Sequence, residues 1–106
     1  MFIKQFRRET MQQLTLDKVI GRKKEIATAD LGLEVGMLDE ENGMYYALGG
    51  VGTRIWHIME HEMSINAIVE QLLLEYDVKK EVCQKDVLEF IDRMLTSELI
   101  YISNSI

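Results

Sequence analysis

A chain of 106 residues with 47% hydrophobic and 28% charged side chains holds the apolar material of one modest core, which excludes a two-domain enzyme with an interlobe cleft. No apolar run approaches the roughly 18 residues of a membrane span, the start MFIKQFRRETMQQ lacks the apolar core and cleavage site of a secretory signal, and the single cysteine and two histidines offer neither a disulfide framework nor a metal site. Net charge is −6 and uneven: residues 1–24 hold seven Lys/Arg against Glu9 and Asp17, leaving five bases against sixteen acids in a body that would repel nucleic acid.

A cytosolic protein with no membrane segment, no metal and no cofactor is therefore expected. Residues 1–13 read as a basic N-terminal extension that need not be ordered, and 14–106 as the domain. From Leu14 to Ala29 the β-branched residues Thr15, Val19, Ile20, Ile26 and Thr28 predict a strand or two, interrupted by Gly21-Arg22-Lys23-Lys24. In GLEVGML, Leu33, Val35 and Met37 fall on one side and Glu34 and Gly36 on the other, the period of a half-buried strand. Asn42-Gly43 then closes a hairpin loop, because that pair supplies positive φ readily, and MYYAL is the returning strand.

After Gly49-Gly50 the period changes to a helical one, with Val51, Ile55, Ile58 and Met59 on one stripe beside Trp56. Ser64 stands at an N-cap position ahead of Ile65, Ile68, Val69, Leu72 and Leu73, a second helix that ends near Tyr76-Asp77. A third runs from about Lys80 to Glu98 with Cys83, Val87, Phe90, Ile91 and Met94 on its core face, and Leu99-Ile100-Tyr101-Ile102 is β-prone. Strands followed by three helices make an α+β fold, a small antiparallel sheet preceding a winged helix-turn-helix-like arrangement.

Gly50-Val51-Gly52 before a helix invites a phosphate-binding reading. The spacing excludes it: Ile55 stands where a dinucleotide fingerprint needs its third glycine, and Gly52-Thr53-Arg54 is not a P-loop ending. These glycines fit a sharp strand-to-helix joint with Trp56 as a core anchor close by. His57 and His61 share a helical turn without a third ligand, a solvated face. Cys83 falls on the apolar face and is inert, and Asp39-Glu40-Glu41 reads as a solvated loop. No catalytic constellation emerges.

Leu38-Asp39, Gly43, Tyr45-Tyr46, Leu48, Ile55-Trp56, Tyr76-Asp77-Val78, Asp86-Val87, Phe90-Ile91 and Leu99-Ile100, in that order and at those intervals, resemble the PqqD-like family, the RiPP recognition elements that bind leader peptides of ribosomally made, modified peptides. The resemblance spans roughly residues 16–102. It departs at Glu98, where the family often has glycine, and at Gly49, where asparagine is common. In length and N-terminal region the chain is most similar to the free-standing leader-binding proteins of lasso-peptide clusters, bacterial and cytoplasmic, which serve a separate cysteine-protease-like leader peptidase and catalyse nothing themselves.

The resemblance implies that a leader adds as a strand beside Met44, Tyr45, Tyr46, Ala47 and Leu48, in a groove walled by the third helix. That segment has no proline, so a free edge there would present an unbroken row of backbone donors and acceptors. Gln84, Leu88 and Leu95 are the helical candidates for the wall, the two leucines widening the apolar arc beyond one face. Tyr45 and Tyr46 must point to opposite faces, and either can meet the ligand. The competing readings are a PqqD-type peptide chaperone for a radical enzyme and a winged-helix DNA-binding regulator.

Overall fold

A computed structural model describes residues 14–104. Its elements are β1 (Val19–Arg22), β2 (Ala27–Asp30), β3 (Glu34–Asp39), β4 (Met44–Gly49), α1 (Val51–Ile58), β5 (Met63–Ser64), α2 (Ile65–Glu75), α3 (Lys80–Thr96) and β6 (Ile100–Ile102). The fold is α+β, but the strands form two sheets, ordered β5-β1-β6 and β2-β3-β4, with every pairing antiparallel. The expected basic extension, residues 1–13, lies outside the described residues.

The second sheet is built around the hairpin. Met37 pairs with Tyr46 and Val35 with Leu48, so these four residues face the core while Tyr45 and Ala47 face outward. Gly43 takes φ 66°, as the loop requires. Asp39 departs from the solvated loop expected of it: only 4% exposed, it accepts from Asn42 N at 3.3 Å and from Asn42 Nδ2 at 2.7 Å. An acceptor-only carboxylate is satisfied there by the amide three residues on, which closes the turn. Leu33 also departs from expectation. The strand begins at Glu34, Gly32 takes φ 89°, and this turn leaves Leu33 89% exposed rather than beside Val35 and Met37.

The first sheet fastens the helices. Ser64 ends β5 opposite Val19 and caps α2, its Oγ accepting from Ala67 N at 3.0 Å. Ile65 N donates to Lys18 O and Asn66 N to Leu16 O, both at 2.9 Å, so the first-turn amides of α2 all find acceptors. At the C-terminal end of α3, Leu99 N donates to Met94 O and Glu98 N to Leu95 O, each at 3.0 Å. This is a Schellman ending, and its left-handed position, φ 61°, is filled by Glu98. Between sheets and helices lies one core containing Ile20, Val35, Met37, Ile55, Trp56, Met59, Ile68, Val87, Ile91 and Leu99.

Candidate peptide-binding edge

β4 is paired with β3 on one side and, among the described residues, with no strand on the other. Its inner side chains, Tyr46 and Leu48, are half-buried against the core. Tyr45, 62% exposed, lies across the outer face with its hydroxyl over Gly36. Of the two tyrosines, Tyr46 points inward and Tyr45 outward. Met44 and Ala47 are exposed.

The strand ends in a joint that fixes its geometry. Gly50 adopts φ 56° and ψ −131° ahead of α1, a region that side chains with a Cβ avoid. Thr53 is buried, and its hydroxyl donates to Leu48 O at 2.7 Å, with Leu33 O farther off at 3.4 Å, tying the end of β4 to the helix. The next residue, Arg54, grips Glu75 at the end of α2 in a fork, Nε–Oε1 and Nη2–Oε2 both 2.6 Å. Gln71 Nε2 donates to the same carboxylate at 2.7 Å. The Arg54 bonds first, then that of Gln71, hold the Glu75 carboxyl down to about 2.

Beyond the joint a pocket of about 370 Å³ opens where the three helices meet, lined by Val51, Gly52, Ile55, Tyr76, Val78 and Phe90 among others. Phe90, expected on the core face, is half-buried, and its ring edge lies 3.0 Å from where a Gly52 Cβ would stand. The missing Cβ lets the ring close on the joint. Counting about 100° per residue, Asp86 shares this flank, while Gln84, Leu88 and Leu95 form the opposite half-buried flank, with Leu88 and Leu95 packed on the core. Cys83 lies at the pocket floor, buried, its thiol pushed up first by burial and then by Asp86. That makes it a poor nucleophile.

A larger cavity of about 600 Å³ lies between the basic loop and the hairpin, where Arg22, Lys23 and Lys24 face Asp39, Glu41 and Glu98. Its mixed charges select no one ligand sign, and Arg22 is engaged, stacked 4.5 Å over the Trp56 ring and donating to Trp56 O. The histidine pair does not share a helical turn, because α1 ends at Ile58; His57 instead reaches Asp30 at 3.7 Å.

Sequence periodicity missed Phe90, Asp86 and Thr53 as parts of the joint. A readable signal existed for one: a threonine three residues after the glycine pair is placed to cap the strand it leaves.

The family model for Coenzyme PQQ synthesis protein D (PqqD) matches residues 34–100, from β3 to the start of β6. The chain belongs to the PqqD family. Among solved structures it is similar to one described as TbiB1 in complex with the TbiA(beta) leader peptide, with 26% sequence identity and a TM-score of 0.72 over 81% of this chain and 98% of that one. A comparison with curated proteins gives no match. The PqqD match contains the open edge, the Gly50 joint and all three helices, and leaves β1 and β2 outside it.

Proposed function

We propose that this chain is a non-catalytic peptide-binding module that recognises the leader of a ribosomally made precursor by strand addition to Met44–Leu48 and presents it to a separate cysteine-protease-like leader peptidase of a lasso-peptide system. The observation that carries the reading is the free edge of β4 ending beside an apolar pocket. The similar TbiB1 structure, described with a leader peptide, supports it.

Four or five backbone hydrogen bonds at roughly 0.5–1.5 kcal/mol each must exceed an ordering cost of about 2–5 kcal/mol for a disordered peptide. Micromolar affinity needs about −8 kcal/mol. Side-chain burial therefore has to contribute, and one leucine-sized residue entering the pocket gives about 1.5–3 kcal/mol. The wall of α3 is assigned to its Phe90 and Asp86 flank, with Gln84, Leu88 and Leu95 as the competing flank.

The test is a titration of the full chain with synthetic leader segments from adjacent small reading frames. Phe90→Asp should weaken binding at least about tenfold, roughly 1.4 kcal/mol, since a charge would be desolvated in the groove. If Leu88→Asp or Leu95→Asp weakens it instead while the protein remains folded, the wall is the other flank. If no leader binds, and a partner peptidase cleaves its precursor equally fast without this protein, the reading fails. A radical-enzyme partner would share the leader titration and differ in the pull-down. Salt-sensitive duplex binding is the outcome expected of a DNA regulator, which Glu81, Asp86, Glu89 and Asp92 on α3 oppose.

A further inference from the structure

The apolar pocket at the end of β4 has an acidic mouth. Asp77, in the turn after α2, and Asp86, on α3, both line it and both are exposed. The nearby carboxylate of Glu75 is already gripped by Arg54, and Lys80 lies 4.0 Å from Glu70. Among the described residues neither Asp77 nor Asp86 is within ion-pair distance of a cation. Around them Val51, Tyr76 and Val78 are exposed apolar groups, and the body beyond residue 24 carries sixteen acids against five bases.

Resting on the strand-addition reading, we infer that this mouth selects the peptide: the occupant places an aliphatic or aromatic side chain in the pocket and a Lys or Arg beside it, within reach of Asp77 and Asp86. An apolar cavity alone accepts any residue of suitable size. Two carboxylates at its rim, without cations of their own, favour a peptide with a neighbouring positive charge and repel one with a negative charge. A long basic side chain suits the site because its methylenes can lie along Tyr76 and Val78 while its head reaches the carboxylates. The acidic body adds a long-range attraction that raises the association rate at low salt.

The experiment displays a library of randomised nine-residue peptides against the full chain and, in parallel, against an Asp77→Lys/Asp86→Lys variant, with circular dichroism as the fold control. Should that variant not fold, the single Asp77→Asn and Asp86→Asn variants replace it. The expected result is enrichment of Lys or Arg next to an apolar residue on the native chain, and loss of that preference, or its replacement by Glu or Asp, on the reversed variant. An enriched basic peptide should bind the variant about tenfold more weakly at low salt, with the gap narrowing as salt is raised. Apolar enrichment with no charge preference, or the same preference on both proteins, overturns the inference and leaves strand addition standing. Absence of any enriched peptide overturns both.

Discussion

Replacing Glu98 by glycine tests whether the backbone at the end of α3 is strained. The residue sits at φ 61°, between the two Schellman hydrogen bonds that stop the helix. For a side chain with a Cβ the left-handed region costs roughly 1–2 kcal/mol, whereas glycine enters it freely but loses about 0.5–1 kcal/mol through the larger entropy of its unfolded chain. The two ranges differ by about 0–1.5 kcal/mol, so the net gain expected of Glu98→Gly is about 0.75 kcal/mol, the midpoint. A domain of this size shifts its Tm by roughly 4–8 °C per kcal/mol, so a rise of about 3–6 °C follows. Glu98→Ala is the control. It removes the same carboxylate, which faces Arg22, Lys23 and Lys24 across the larger cavity, but keeps the Cβ. Thermal unfolding followed by circular dichroism should rank glycine above both alanine and the native residue. If alanine and glycine melt together, the strain argument is refuted.

Ser64→Ala should cost about 1 kcal/mol in urea unfolding, because the Oγ that takes Ala67 N–H is lost from the start of α2. Ile68→Asp, a charge at a fully buried position, should unfold the domain, whereas Phe90→Ala should cost less than the roughly 3–5 kcal/mol of a buried phenylalanine while weakening the leader titration. For Glu75, a carboxyl held down to about 2 by Arg54 and Gln71 stabilises the fold fully above its ordinary value near 4.5 and loses that contribution as pH falls through about 2. An acid titration of stability should thus fall more steeply between those values for the native chain than for Glu75→Gln, and equal slopes would remove the Arg54 fork from the account.

The sequence made the hairpin and the cap readable because each depends on neighbours. Asn42-Gly43 fixes the turn, the alternation of Val35 and Met37 fixes the face, and Ser64 precedes its stripe directly. What escaped depends on distant partners. β5 is two residues long and has no period of its own; it exists because Ile20 pairs with Met63 on one side and Ile102 on the other. Phe90 falls within the core arc by helical counting, and only the absent side chain of Gly52, thirty-eight positions earlier in the chain, explains why its ring closes on the joint. Asp39 is the exception among the local features: its partner, Asn42, stands only three residues on, and their hydrogen bonds bury a carboxylate that its acidic neighbours Glu40 and Glu41 make look solvated.

The second sheet has two free edges among the described residues, yet they are not equivalent. All four residues of β2 are exposed, so a strand added there would meet a short ribbon with little packed beneath it. β4 is held differently: Tyr46 and Leu48 anchor its inner side against Met37 and Val35, and Thr53 clamps the Leu48 carbonyl to α1. Its backbone row is therefore fixed in the free protein, and the ordering cost of adding a strand there would fall mainly on the peptide. The same joint that fixes the strand also sets Phe90 and the apolar pocket at its end. A peptide reaching that end can add side-chain burial to backbone bonding, which the β2 edge does not offer. The asymmetry rests on the Gly50 turn and on Gly52: the first directs the chain from strand into helix, and the second leaves room for the Phe90 ring that lines the pocket.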